Sequence, residues 1–163
     1  MENKITKIFS KIEKLPKFLQ KSAKGIAIGF TVPFIRTAGI QFEQTLPNSW
    51  TASLKNRRKV QNHLKQVHAG GMVLLAETVA VFVTSMNLPD SKIPLVKKIE
   101  ADFVKRSSGS IRATATITKE QIETMQSLDK GEMIIDVLLK DDTNAQPVII
   151  KITSAWITKP SKK

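Results

Sequence analysis

The 163 residues are enough for one domain with a real core, and the 41% apolar share is that of an ordinary soluble protein. The absence of cysteine excludes a disulfide framework, a zinc ribbon and a thiol nucleophile. A net charge of +12 (26 Lys and Arg against 14 Asp and Glu) points to anionic partners, while an aromatic content of 6% and the lack of a recognised module speak against nucleic acid.

Residues 1–30 are predicted as a basic amphipathic helical segment. Its helix covers residues 3–24 and is broken or kinked near Pro16. Ile5, Ile8, Phe9, Ile12, Leu15 and Leu19 recur at three- and four-residue steps, with lysines on the other face. Such a stripe docks on its own domain or lies on an anionic membrane. The lysines from Lys4 to Lys24 face only Glu2 and Glu13, and Lys159, Lys162 and Lys163 end the chain, so much of the charge excess is terminal. The uncharged stretch from Gly25 to Ile35 contains Pro33 and falls short of the roughly 20 residues a membrane span needs. Arg36 stands where a signal peptide would need small residues, and a cytoplasmic location is expected.

Residues 31–160 are predicted as a single domain. Gly39 to Leu46 and Trp50 to Leu54 read as strands about a Pro47–Asn48 turn. Gly70 to Met86 is almost wholly apolar, the pattern of a helix buried on all sides. The period then changes to two. Alternation around Ile99 to Phe103, Ile111 to Ile117, Met133 to Leu139 and Val148 to Trp156 predicts four strands with one covered face. A polar helix from Lys119 to Lys130, ending at Gly131, interrupts them. One helix inside a mostly antiparallel sheet is an α+β fold.

The chemistry concentrates at the start of the apolar helix. Asn62 is followed after six residues by His68, and His68 after nine by Glu77, with Gly70 and Gly71 at the helix start. A first helical turn carries unpaired N–H groups and a positive dipole end, and glycines let a ligand approach them. A thioester or ester carbonyl placed there is polarised as in an oxyanion hole. A lone carboxylate on an apolar helix either finds a partner or holds its proton more tightly, and both states suit a general base or nucleophile. Taken singly, each residue also has a structural reading: packing glycines, a capping histidine, an ion-paired glutamate.

The stretch "NHLKQVHAGGMVLLAET" (62–78), with "FVKRSSGSIRATATI" (103–117), resembles the hotdog-fold thioesterase superfamily, in particular its phenylacetate-type acyl-CoA thioesterases and a poorly characterised thioesterase-like branch. The resemblance covers about Pro33 to Pro160. It implies a hotdog fold, in which an antiparallel sheet wraps one long central helix. It also implies homodimers joined edge to edge, or dimers of dimers, with active sites at the seam. The implied substrate is an acyl thioester of coenzyme A or acyl carrier protein, with no cofactor and no metal. In the pattern, Glu77 takes the catalytic acid position and Ala69, with Gly70 next to it, the carbonyl-polarising N–H. Asn62 and His68 shape the loop and the water, while Gly71 and Thr78 join the substrate-binding set. Arg57, Arg58, Lys105, Arg106 and Arg112 are the cations available to coenzyme A phosphates. Met72, Leu75 and Phe82 are candidates for the acyl lining. Two departures stand out: Ala69 replaces the usual glycine, and Leu95 to Lys98 has no hydroxyl where relatives carry Ser or Thr. A non-catalytic acyl-thioester or lipid-binding protein on the same fold is the competing reading.

Overall fold

The computed structural model describes residues 3–160. Glu2, Lys162 and Lys163, counted above among the terminal charges, lie outside those residues, as does the side chain of Lys21. Six strands form one antiparallel sheet: β1 (Gln41–Leu46), β2 (Ser49–Leu54), β3 (Lys92–Phe103), β4 (Ile111–Thr116), β5 (Gly131–Asp141) and β6 (Val148–Thr158), in the order β1-β2-β4-β5-β6-β3. Helix α4 (Ala69–Asn87) packs on β2 through β6, and this is the hotdog architecture. Alternation does the sorting. On β4, Ile111, Ala113 and Ala115 are buried against α4 while Arg112 and Thr116 face out. By length and apolarity alone α4 could cross a bilayer, but its apolarity is spent on the sheet.

The sheet wraps α4 as expected but does not bury it on all sides, which its all-round apolarity predicted. Leu75, Val79 and Val83 are fully buried towards the strands, whereas Val73, Leu74, Glu77, Val81 and Phe82 are half-buried. Part of that second side is closed by the N-terminal helices α1 (Lys4–Ile12), α2 (Lys17–Thr31) and α3 (Pro33–Ala38). The break at Pro16 is as expected, but α2 runs on to Thr31. Helix α3, unforeseen, starts with a proline at its first position and stops at Gly39, whose φ of +80° suits glycine. The expected start of β1 at Gly39 therefore moves to Gln41.

Helix α1 docks on the core. Phe9 meets Trp50 edge-on with ring centroids 5.0 Å apart, and Trp50 stacks on Phe82 at 5.2 Å. Asn3 accepts from the Thr6 N–H at 2.9 Å and donates to the Ser85 and Leu88 carbonyls, at 2.8 and 2.7 Å. One side chain thus caps the start of α1 and the end of α4. Helix α5 (Lys119–Ser127) is shorter than expected. The buried Lys92 ammonium donates to the Met125, Gln126 and Leu128 carbonyls and closes its C-terminal end. Strand β3 begins at Lys92, earlier than the alternation suggested. Among the described residues β6 is its one strand partner, so its other edge is open.

Candidate functional site

The loop before α4 is shaped by Asn62. Its Oδ1 accepts from the Leu64 and Gln66 N–H groups, at 2.9 and 3.1 Å, and its main chain pairs with Gln66. That closes a turn in which Lys65 sits at φ 59°. The chain then returns along Val60 and delivers His68 as the cap of α4. The His68 Nδ1 accepts the Gly70 N–H at 2.9 Å, which leaves the ring proton on Nε2. The His68 carbonyl takes the Gly71 and Met72 N–H groups at 2.8 and 3.2 Å. Of the four N–H groups that open α4, this leaves the Ala69 N–H alone without an acceptor among the described residues. Gly71 is a close-approach glycine, since a methyl there would stand 3.2 Å from Leu54 and 3.4 Å from Val67. It lets the first turn sink against β2.

The free N–H opens onto a groove of about 410 Å³ that includes Asn62, Ala69, Lys105, Arg106 and Ser107. Phe103 and Val104, the end of β3, complete its wall. Ser107 is 3% exposed, and its hydroxyl has no partner among the described residues. A buried hydroxyl without a protein partner is free to bond a group that enters the groove. Sequence reasoning noted only the cations around this serine turn; a Ser-Ser-Gly-Ser run gives no sign of which hydroxyl turns inward.

Glu77 faces elsewhere. It lines a mostly apolar pocket of about 300 Å³ with Thr31, Val32, Ile35, Thr78, Phe82 and Pro94 among its walls. No hydrogen bond or ion pair to its carboxylate occurs among the described residues, and burial raises its pKa above the ordinary 4.5. Thr78 spends its hydroxyl on the Leu74 carbonyl at 2.7 Å. Phe82 does line this pocket, whereas Leu75 is core. Met72 is 5% exposed and edges the Ala69 groove. A third groove, of about 470 Å³, joins His68, Gly70 and Gly71 to Phe34 and Leu74, and Leu74 also borders the Glu77 pocket.

The cations separate. Lys105 and Arg106 border the Ala69 groove, and Arg57 lines a different one with Arg36 and Lys59. Arg58 is exposed on the short 3-10 turn Arg58–Val60. Arg112 lies apart from the Ala69 and Glu77 pockets on the outer face of β4, where its Nε donates to Glu43 at 2.8 Å. Lys97 and Lys98 pair with Glu132 and Glu100. No group of three His, Asp or Glu that could hold a metal ion occurs among the described residues.

Ala69 and Glu77 do not share a pocket within one chain. They are eight residues apart, about 12 Å along the helix axis.

Comparison with known proteins agrees with the architecture. The family model described as a domain of unknown function (DUF4442) matches residues 21–157. No curated protein matches significantly. A Pseudomonas aeruginosa protein of unknown function described as a probable thioesterase, PA5026, superposes with a TM-score of 0.76 at 19% identity, covering 89% of this chain and 97% of that one. The Haemophilus influenzae thioesterase HI1161 superposes with a TM-score of 0.64 at 18% identity, covering 77% of this chain and 82% of that one. A variant of the Staphylococcus aureus thioesterase SAV0944 gives a TM-score of 0.66 at 19% identity, covering 79% and 100%. At these identities the likeness establishes the fold.

Proposed function

The chain belongs to the DUF4442 family, and on that hotdog frame we propose that it hydrolyses an acyl thioester of coenzyme A or acyl carrier protein at a site completed by two copies. The observation that carries this reading is Glu77: a carboxylate with no partner among the described residues, held in an apolar pocket, with its proton affinity raised. In the proposed step the carboxylate takes a proton from water as the oxygen attacks the thioester carbonyl carbon. The Ala69 N–H receives the developing oxyanion, at the positive end of α4. Collapse of the tetrahedral species breaks the carbon–sulfur bond. The thiolate leaves with the proton held by Glu77, giving the free acid and the thiol.

The open edge of β3 supplies the second copy. The Ala69 groove contains Phe103 and Val104 at the end of β3, and the Glu77 pocket contains Pro94 near its start. Antiparallel pairing of two β3 edges about a two-fold axis exchanges those ends. Each chain's Ala69 groove then meets its partner's Glu77 pocket. Exposed Leu95 and Phe103 lie along that edge, where an unpaired strand is otherwise a liability. Lys105 and Arg106, which border the Ala69 groove, are the cations proposed to meet the phosphates of the nucleotide. Ser107 supplies a hydroxyl beside Ala69, the group that Leu95 to Lys98 does not provide.

The test is thiol release from short-, medium- and long-chain and aryl acyl-CoAs. Turnover of at least one is expected. Tight binding with no release from coenzyme A or carrier-protein thioesters would replace hydrolysis with a carrier role. A second measurement isolates Ser107. Ser107→Ala removes a buried, unpaired hydroxyl, so it is expected to stabilise the fold by about 1 kcal/mol in urea unfolding while lowering turnover. A gain in stability with unchanged turnover would make the hydroxyl a bystander.

A further inference from the structure

Helix α1 turns its apolar stripe to the core and α2 buries Ile28 there, but a second set of apolar side chains on α2 and α3 stays exposed. Phe18, Ile26, Phe30 and Phe34 follow one another at four- and eight-residue intervals along α2 and into α3, and they are 79, 57, 76 and 64% exposed. Leu15 and Leu19, before and at the start of α2, are 41 and 43% exposed. So many large apolar side chains left exposed on two neighbouring helices mark a contact surface.

Charge decides what the contact is with. Between Glu13 and Glu43 the chain has no Asp or Glu, but five cations: Lys14, Lys17, Lys21, Lys24 and Arg36. Lys24 turns inward to Thr45 at 2.7 Å, and Lys14, Lys17 and Arg36 are exposed. A groove of about 350 Å³ beside the apolar side chains includes Ser22, Ile26, Arg36, Arg57 and Lys59 and contains no carboxylate. The Arg36 guanidinium lies 5.8 Å from the Phe30 ring, so the cationic groove and the apolar side chains share a border. A second copy of the same face would set cations against cations. An anionic phospholipid surface offers what this face lacks: phosphates at the level of the groove and acyl chains at the level of the apolar side chains.

We propose that the α2–α3 face is a docking surface for an anionic phospholipid bilayer, with Phe18, Ile26 and Phe30 inserted among the acyl chains and a lipid phosphate in the Arg36–Arg57–Lys59 groove. Membrane contact then shifts from the whole of residues 3–24 to the outer face of α2 and α3, with Phe18 in common. It stands whether or not the protein is a hydrolase. The same helices wall the inner pockets, through Thr31, Val32 and Ile35 at Glu77 and through Phe34 at His68, so docking sets those walls against the lipid.

The test is flotation of the full-length protein with vesicles of phosphatidylcholine containing phosphatidylglycerol, beside phosphatidylcholine alone. Binding to the anionic vesicles only is expected. Phe18→Ser with Phe30→Ser should weaken it by about tenfold or more for each aromatic removed. Arg36→Glu tests the groove without touching the apolar side chains, and it should weaken binding at low salt most. Circular dichroism confirms that each variant is folded, and sedimentation velocity reports assembly. No flotation of wild type, or flotation unchanged in all variants, overturns the proposal. Loss of a higher oligomer in the phenylalanine variant, without vesicle binding by wild type, assigns the face to a second copy instead.

Discussion

Glu77→Gln is expected to lower thioester hydrolysis by about a hundredfold or more, the scale of a general base removed from a transition state. Glutamine keeps the shape of the side chain and its place in the pocket, but cannot take a proton from water. The loss should fall on kcat, with substrate binding retained. The pH dependence is the sharper signature. The active form is the carboxylate, and burial raises the Glu77 pKa above 4.5. Turnover should therefore rise with pH through a midpoint above the ordinary carboxylate value, and the residual turnover of Glu77→Gln should lack that limb. Stability should move the other way. A group whose pKa is raised by folding contributes stability that is fully present below its unfolded pKa and lost as pH rises through the folded one. At neutral pH the charged Glu77 therefore costs stability, and Glu77→Gln should unfold at equal or higher urea concentration than wild type. Its advantage should shrink as pH falls towards 4.5. A variant that loses activity because it no longer folds would show the opposite shift. Full activity in Glu77→Gln would remove the carboxylate from the mechanism.

That experiment was legible in the residue order. The spacing of Asn62, His68 and Glu77 is local, and it survives in the structure as a capped loop and a half-buried carboxylate. The strands were legible for the same reason: Ile111, Ala113 and Ala115 alternate within one element, and burial follows. What depends on distant partners left no such trace. Helix α3 has six residues beginning at Pro33, too short for a period to show. The first half of β3 carries Pro94 and two adjacent lysines, which mask the alternation of an edge strand. Arg112 meets Glu43 across 69 positions, which removes it from the cations around the Ala69 groove. Most instructive are the N-terminal helices. Ile5, Phe9 and Ile12 recur at helical intervals, as do Phe18, Ile26 and Phe30, yet Phe9 and Ile12 are core while the second set faces out. Periodicity identifies an apolar face but not what covers it.

Ala69→Pro is expected to lower turnover by about a hundred- to a thousandfold, the cost of one oxyanion donor, with the fold intact. Ala69 is the first residue of α4, where proline is the favoured residue and no main-chain partner is lost. Proline also requires extended backbone in the residue before it, and His68 already has φ −61° and ψ 144°. The substitution thus deletes the one unpaired N–H at the helix start, while Ala69→Gly, which keeps the N–H, should retain activity. The same pair of positions decides whether the site is shared. If hydrolysis needs Ala69 of one chain and Glu77 of another, a hybrid of Ala69→Pro with Glu77→Gln holds one site with both lesions and one with neither. Random pairing makes about half the dimers hybrid, so co-expression should restore about a quarter of wild-type activity from two inactive parents. A site built within one chain would keep one lesion in every copy, and mixing would restore nothing. The roughly 12 Å between these residues along α4 favours the first outcome.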